Sequence, residues 1–237
     1  MMVKAGMSAG EDALFGAKGF FDAFGPAADR EALTRGLGTQ FEILATNIKR
    51  WTVGSPIQAV LDALEQILRR RKIDLAEVTK IDIEIPADAV PIVDNRQMPN
   101  VCLQHLAAMM LVDGTVGFES SHDETRMADQ VVLATRSRIR LLPNIELERA
   151  TPRRQAIVTV HLHSGETLTH RTHAVRGSVD NPMSSDEVAS KARDLMIPVL
   201  GKTRTGRLVD AIWNIDRLPN LRELSPLLKR PRTRRRE

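Results

Sequence analysis

Apolar residues recur at helical spacing in several parts of the chain. The clearest run lies between Ser55 and Lys72, where six apolar side chains share one face and four basic residues follow. Residues 120–125 have the character of an acidic turn or a short helix. Comparable spacing predicts further helices at residues 9–25 (broken near Gly16 and Gly19), 29–35, 100–112, 127–135, from 184 onward, and 206–218.

Alternation of apolar and polar residues indicates the strands. In the segment KIDIEIP, Ile81, Ile83 and Ile85 fall on one side and the charged residues on the other, which predicts a half-buried strand. Similar criteria predict extended segments at residues 41–48, 138–142, 156–163 and 167–175, the last two as a hairpin around Ser164 and Gly165.

Two of the predicted helices begin with a capping box. Ser55 precedes Pro56 and is followed three residues later by Gln58, a combination typical of a helix start. Ser184 and Glu187 repeat the spacing at the later helix. Lys49 lies just ahead of the first box, and a lysine next to the free amides of a helix start is a good receptor for a carboxylate.

The order of elements indicates an α+β protein. Helices come first, a mixed segment with strands follows, and helices return at the end. We therefore expect a discontinuous all-helical domain, present in part, with a small inserted α+β domain that contains an antiparallel sheet. The expected boundaries are 1–72 for the first helical part, 73–183 for the insert, 184–228 for the helical return and 229–237 for a basic disordered tail.

Charge and composition narrow the function classes. The net charge is +4, but the tail KRPRTRRRE carries +5, so the remainder of the chain sums to −1. Nucleic acid is therefore not the expected partner, and the tail is expected to be solvated, with phosphate binding or localisation as the alternative. The single cysteine, Cys102, excludes an intrachain disulfide and fits a cytoplasmic protein. No apolar run approaches a membrane span, and the N-terminal residues lack a signal-peptide core.

Four longer segments resemble, in order, the MmgE/PrpD family, the 2-methylcitrate dehydratase-like proteins. Together they extend over nearly the whole chain. They are GAKGFFDAFG at 16–25, KRWTVGSPIQAVLDAL at 49–64, VDNRQMPNVCLQHLAAMMLVDG at 93–114 and VRGSVDNPMSSDEVASKARDL at 175–195. The resemblance implies a mainly helical domain closed by a smaller α+β lid, with a cleft for small polycarboxylates between them. It also implies a homodimer and a reaction without metal or other cofactor.

The resemblance makes Lys49 the first catalytic candidate, since the family's lysine at this place lines the cleft. There it would pair a carboxylate or stabilise an enolate; the alternative is an exposed loop lysine. Family members usually carry a histidine shortly after this lysine, and Gln58 is the closest match here. Gln58 and Ser55 are thus candidates for substrate binding, or for the capping box alone. Because an amide does not carry a proton as imidazole does, the usual acid–base step is in question here.

A second group of candidates lies in the segment that begins at Val93. Arg96 is positioned in a loop where it would fork a carboxylate, although an ion pair with Asp94 is equally compatible with the sequence. His105 is a candidate proton carrier, with a hydrogen-bonded interfacial histidine as the alternative. Cys102 shares its helical face and is interpreted as a buried small residue, not as a nucleophile.

The segment that begins with Arg176 and Gly177 resembles the family's return from lid to helical domain. Arg176 would there reach the cleft or a dimer neighbour. Gly177 is expected to adopt a backbone angle that other residues avoid. The histidines of the predicted hairpin lack the additional ligands that a metal site requires, so no metal is expected there.

The combined prediction is an enzyme, or a subunit of one, of the lyase class. It would abstract a proton next to a carboxylate of a small polycarboxylate, with dehydration or hydration as the first choice and decarboxylation or epimerisation as alternatives. A different class of function is also open. The chain is expected to be a half-protein, and it would then be an inactive scaffold or require a separately encoded N-terminal half.

Overall fold

The computed structural model describes residues 2–229 except 9, 11, 26 and 28. The chain divides into two compact units, Met1–Ala45 and Thr46–Glu237. Apart from Lys229, the predicted basic tail lies outside the described residues.

Helices alternate along the described chain with four strands that form one sheet. The α-helices are α1 (Phe20–Phe24), α2 (Gln58–Arg70), α3 (Val90–Val93), α4 (Leu103–Asp113), α5 (Phe118–His122), α6 (Gln130–Arg136), α7 (Ile145–Arg149), α8 (Ser185–Leu200), α9 (Lys202–Trp213) and α10 (Ser225–Leu228). The strands are β1 (Val78–Pro86), β2 (Ile139–Asn144), β3 (Ala156–Leu162) and β4 (Thr167–Thr172). The α+β class predicted from the sequence is confirmed.

The first unit contains less helix than the sequence predicts. In the described part of residues 9–25, α1 covers five residues, because Lys18 adopts a positive φ of 67° and interrupts the run between two glycines. The second predicted helix is a short 3-10 turn capped by Asp29, whose side chain accepts a hydrogen bond from the Glu31 amide. The predicted extended segment at 41–48 contains a 3-10 turn, Glu42–Ala45, and was wrong there.

The sheet is mixed, which corrects the prediction of an antiparallel one. Its order is β2-β1-β3-β4, with β1, β3 and β4 antiparallel and β2 parallel to β1. A parallel pair requires a long crossover connection. Here the crossover between β1 and β2 contains α4 and α6, and α4 contributes buried side chains to the core beside the sheet.

One hydrophobic core joins the sheet to α2 and α4. The predicted inward face of β1 is confirmed, since Ile81, Ile83 and Ile85 are fully buried. Every residue of α4 from Leu103 to Leu111 is buried, whereas α2 buries chiefly its N-terminal two turns. The predicted boundary after residue 72 therefore passes between a helix and a sheet that share a core, and the domain division stays a prediction.

The two capping boxes have different outcomes. The Ser184 box is confirmed: its hydroxyl accepts from the Glu187 amide at 3.2 Å and its amide donates to the Glu187 carboxylate at 2.8 Å. At the earlier helix the box was wrong. Ser55 begins a 3-10 turn whose N-cap, Gly54, makes no side-chain bond, and Gln58 instead reaches back to the preceding loop.

Gly177 allows two backbone segments to meet. The Ile48 amide donates to the Gly177 carbonyl at 2.8 Å, and the Gly177 φ is +94°. A Cβ at this position would lie 1.9 Å from the Ile48 carbonyl oxygen. The special backbone angle expected for Gly177 is confirmed, and it brings residues 174–181 against the segment that leads to Lys49.

We predict that Gly177→Ala lowers the free energy of unfolding by about 3 kcal/mol or more, because the clash adds to the cost of a positive φ. The matched control is Gly165→Ala, since Gly165 has a φ of +85° with no heavy atom near the added methyl. That variant is expected to lose about 1 kcal/mol, the conformational cost alone. Urea denaturation measures both, and equal losses would show that the close approach is not important.

Candidate functional site

The loop that carries Lys49 is held by a buried amide of α2. Gln58 is 3% exposed, and its Oε1 accepts from the Trp51 backbone amide at 3.1 Å. Its Nε2 donates to the Trp51 carbonyl at 2.8 Å and to the Val53 carbonyl at 3.3 Å. Gln58 thus supplies the hydrogen-bond partners that the backbone of this irregular, buried segment would otherwise lack. Its role is to position the loop; the structure shows neither the predicted cap nor a free amide.

The buried carboxylate of Asp62, one turn further along α2, holds the same loop by a hydrogen bond from the Trp51 side chain. Trp51 donates its indole N–H to Asp62 Oδ1 at 2.9 Å, and the Arg176 backbone amide donates to Oδ2 at 2.8 Å. Burial raises the pKa of Asp62, while these two hydrogen bonds and the nearby Arg50 act to lower it. Asp62 therefore joins the loop before α2 to residues 174–181, which follow β4 and are called the return segment below.

An ion pair and a stacked ring complete the attachment. Arg50 donates from both terminal nitrogens to the Glu65 carboxylate, and its guanidinium lies 4.5 Å from the centre of the Trp51 ring. Gln58, Asp62 and Glu65 are spaced i, i+4 and i+7, so they form one polar stripe along α2. This stripe holds residues 50–53 against the helix.

Lys49 is exposed at the edge of this anchored loop, and a second lysine lies beside it. Lys49 Nζ donates to the Val53 carbonyl at 3.3 Å, and Lys191 Nζ, from α8, donates to the Lys49 carbonyl oxygen. Burial lowers the pKa of Lys191, and the positive charge of Lys49 lowers it further. Among the described residues neither ammonium group forms an ion pair with an acid.

Lys191 is the residue that sequence reasoning missed. It lies one turn after Glu187 on α8, and Glu187 binds the Arg176 guanidinium through two hydrogen bonds. The N-terminal end of α8 is therefore docked on the Lys49 loop and on the return segment by side chains of one face. No local signal in the sequence marks it, because the i, i+4 spacing of Glu187 and Lys191 is an ordinary pattern on helix surfaces.

Arg176 lies at the wall of a polar cleft of about 520 Å³, hereafter the arginine cleft. The cleft is formed by the outer side of α2, the end of β4 and the return segment. Arg176 is fully engaged there, because it pairs with Glu187 and donates to Asn181 Oδ1 at 2.8 Å. Lys49 and Lys191 are not among the residues that line this cleft.

Ser55 lies in a different cleft, of about 460 Å³, together with Pro86, Asp88 and Ile92. Arg153 also lines it and binds Asp88 at 2.8 Å. This second cleft does not include Lys49 or Arg176. Ser55 is therefore not brought together with the other sequence-predicted candidates.

His105 is enclosed in the core rather than placed at a surface. Its exposure is 0%, and neither ring nitrogen has a hydrogen-bond partner among the described residues. Burial, together with the positive charges of Arg136 and Arg126, lowers the pKa of His105 to about 4. The ring is therefore neutral near pH 7 and has no route to a substrate in this structure. The neighbouring Cys102 is also fully buried, which confirms its interpretation as a buried small residue.

Arg96 remains exposed in its loop and forms no hydrogen bond or ion pair with the described residues. The alternative pairing with Asp94 is not found among them either. Asp94 Oδ1 instead accepts from Gln104 Nε2 and from Asn95 Nδ2, at 2.5 and 3.0 Å. Arg96 is thus available to a ligand, but the structure does not bring it to Lys49.

The hairpin histidines have separate environments. His161 binds Asp82 at 2.9 Å on β1, and His170 Nδ1 lies 3.3 Å from an Arg70 nitrogen. Within the described ranges no three His, Cys, Asp or Glu side chains are arranged to hold a metal ion. None of the helices in the described part of the chain has the length and apolar character needed to span a bilayer.

We predict that Gln58→Met destabilises the fold by about 2–3 kcal/mol, because it leaves a buried backbone amide and two carbonyls without their partner. Ser55→Ala is the control and is expected to change stability by less than about 0.5 kcal/mol, since the hydroxyl does not cap the helix. Denaturation followed by tryptophan fluorescence measures both variants. A larger loss of stability for Ser55→Ala would show that the Ser55 hydroxyl does cap the helix.

A second prediction concerns the stability of the fold at acidic pH. The pKa of His105 is about 4 in the fold and near 6.5 when unfolded, so the unfolded chain binds the proton more tightly. The free energy of unfolding should therefore fall as the pH drops below about 6.5, by about 3 kcal/mol near pH 4.

The variant His105→Leu should lack this part of the acid dependence, whereas His163→Leu, at an exposed histidine, should retain it. Urea denaturation between pH 7 and pH 4 measures the difference in slope. Parallel curves for the wild type and His105→Leu would contradict the burial of an uncharged ring.

Comparison with known proteins agrees with the resemblance seen in the sequence. The model of the MmgE/PrpD C-terminal domain matches residues 51–216, which begin two positions after Lys49 and include the polar stripe of α2, the whole sheet, α8 and α9. A search of the curated proteins finds no significant match. Because the matched segment covers most of the chain, the protein belongs to the MmgE/PrpD family through the C-terminal domain of that family.

Proposed function

We propose that this protein acts on a small polycarboxylate as an MmgE/PrpD-type lyase, by metal-free proton abstraction next to a carboxylate. Dehydration or hydration is the first choice, because the family is typically one of dehydratases. Decarboxylation and epimerisation begin with related chemistry on the same scaffold and remain the alternative reactions.

The pair formed by Lys49 and Lys191 is the observation that supports this proposal most strongly. Lys191 donates to the Lys49 carbonyl oxygen, and the positive charge of Lys49 lowers the pKa of Lys191, so the two charges repel each other; an acid normally compensates such a pair. No acid among the described residues does so. A carboxylate of the substrate would supply the missing charge and accept hydrogen bonds from both groups.

The two lysines suggest a division of roles. Lys49 would pair with a carboxylate and stabilise the enolate that forms when the adjacent C–H bond breaks. Lys191 would hold the same carboxylate as a second hydrogen-bond donor, and the base that takes the proton would belong to the opposite wall of the cleft. In a dehydration the electron pair then expels the β-hydroxyl group, which leaves as water after it gains a proton.

The other candidates have supporting roles in this proposal. Gln58 and Arg176 position the loop and the return segment, and Arg96 and Ser55 are substrate contacts only if closure brings their surfaces nearer. His105 has no role in the reaction, because its ring is enclosed. The proposal includes the lid-domain arrangement, the homodimer and the cytoplasmic location that the sequence indicates.

A second candidate function is a subunit that requires a separately encoded N-terminal half. The exposure of Lys49 favours it, since a charged catalytic group normally lies in a cleft that limits water. Another chain would then supply the opposite wall. The remaining alternative is an inactive scaffold, in which the same two lysines bind nothing.

Proton exchange tests the proposal directly. The protein, alone and with a candidate N-terminal half, is incubated in deuterated water with citrate-like and succinate-like acids, and deuterium at the carbon next to a carboxylate is measured by NMR. We expect incorporation with the wild type and a loss of at least about a hundredfold for Lys49→Ala and Lys191→Met. Lys72→Met, at an exposed lysine without a described partner, is the control and should exchange normally.

Exchange that needs the added half would support the partner-dependent function. No exchange in any combination would favour the scaffold, and exchange that survives Lys49→Ala would remove this lysine from the site. Thermal melting of each variant distinguishes loss of function from loss of fold.

A further inference from the structure

β4 forms one edge of the sheet, and half of its backbone groups point out of that edge. At the base of the hairpin the Leu162 amide donates to the Glu166 carbonyl at 2.9 Å, so this pair is the first hydrogen-bonded pair of the ladder between β3 and β4. Hydrogen-bonded and non-hydrogen-bonded pairs alternate along an antiparallel ladder. The even-numbered residues of β4 therefore bond to β3, and the amides and carbonyls of Thr167, Thr169 and Arg171 face away from the sheet.

This edge is open in the described part of the chain. Thr167, Thr169 and Arg171 are exposed, and among the described residues no hydrogen bond from outside the sheet reaches their backbone groups. The opposite edge differs, because β2 contains Pro143, which has no N–H to donate. Proline and lysine commonly protect an exposed edge, and β4 contains neither. The edge of β4 can therefore accept another strand.

The even-numbered side chains of β4 lie on the face towards α2. Thr172 Oγ1 donates to the Ala59 carbonyl at 2.8 Å, and Glu166, which directly precedes the strand, binds Arg71 at the end of α2. Thr172 also lines the arginine cleft. A strand added at this edge would therefore present the side chains of its own α2 face next to the arginine cleft.

The arginine cleft can take a further carboxylate on this side. Arg50 and Arg69 share the Glu65 carboxylate, and the contact of Arg69 is the longer one, at 3.3 Å. The Arg69 side chain is 62% exposed, so it remains available to another acid. Among the acids of the cleft, Asp62 is buried with both oxygens bonded, and Glu187 is bound by the Arg176 guanidinium.

We propose that two copies of this protein pair antiparallel along β4, about a two-fold axis at Thr169. A two-fold interface uses the same surface of both copies, as this edge permits. In this register Thr169 faces its own counterpart, and Thr167 faces Arg171 of the second copy. All three outward-facing residues of each strand then exchange hydrogen bonds, whereas a shift by two residues leaves one of them without a partner in β4. Facing threonines are a favourable pair, and the two arginines are kept apart.

The same register brings opposite charges together. Glu166 of each copy lies opposite Thr172 of the other, on the face that carries the arginine cleft. Its carboxylate is thereby offered to Arg69 of the second copy. The proposal gives an interface to the expected homodimer. It does not depend on the proposed reaction, since Lys49 and Lys191 lie outside both β4 and the arginine cleft.

Sedimentation equilibrium tests the association. We expect the wild type to have twice the chain mass of 26.4 kDa. Thr169→Lys should have the mass of one chain, because it places two like charges opposite each other at the axis. The matched control is Thr203→Lys, at an exposed threonine of α9, which should remain a dimer.

A second pair of variants tests the charge contact. Glu166→Gln should weaken the dimer about tenfold or more, because it removes a charge-assisted hydrogen bond across the interface. Glu77→Gln is its control, since Glu77 also contacts Arg71 but lies outside β4. That variant should associate as the wild type does.

Cross-linking tests the register. A short bismaleimide should join two copies of Thr169→Cys, whose Cα atoms would lie about 5.5 Å apart, and should not join Thr203→Cys. The wild type should not react, because Cys102 is buried. A wild type that sediments as a monomer at all concentrations would overturn the proposal. So would a dimer that Thr169→Lys leaves unchanged, with a normal melting temperature.

Discussion

The polar stripe of α2 is the constraint on which the rest of this structure depends. Gln58, Asp62 and Glu65 occupy one side of a helix whose other side is packed into the core with the sheet. Each binds the loop that precedes the helix, and Gln58 and Asp62 do so from almost complete burial. A buried polar group that is fully bonded specifies one arrangement of its partners, since any other leaves it unsatisfied. The stripe therefore fixes the loop more strongly than loop sequence alone would.

This constraint has consequences on both sides of the loop. Asp62 also binds the backbone at Arg176, which brings the return segment and then α8 against the loop. The docking places Lys191 beside Lys49 at the outer edge. On the other side it places the Arg176 guanidinium at the wall of the arginine cleft. The Lys49–Lys191 pair and the wall of the arginine cleft thus arise from one set of buried contacts.

Local patterns were sufficient for much of the second unit. The alternation around Ile81, Ile83 and Ile85, the hairpin after β3 and the Ser184 box rest on neighbours in sequence, and the structure confirms them. The parallel pairing of β2 was not predictable in this way. It depends on a crossover and on partners about sixty residues apart in the chain. In the first unit the sequence led to too much predicted helix, because helical spacing was given more weight than the glycines that interrupt it.

The candidate site was predicted in part for the same reason. Lys49 and Gln58 were found through a motif, but the role of Gln58 depends on which buried backbone group it meets, and that is set by the folded chain. The stripe at 58, 62 and 65 was visible in the sequence as polar residues at helical spacing among the apolar residues of α2, and a buried polar residue needs a hydrogen-bond partner. Lys191 lies about 140 positions from Lys49 and carries no local mark of that proximity.

The central claim is that Lys49 and Lys191 form one anion site. Its most direct test is NMR of protein labelled at the lysine ε-carbons, titrated with pH in the absence and presence of citrate, with the two signals assigned from single variants. The account predicts that the pKa of Lys191 lies below its ordinary value, and that citrate raises it because the anion stabilises the ammonium form. The signals of both lysines should shift in one saturable event. An ordinary pKa for Lys191 and no response of either signal to saturating citrate would contradict the account.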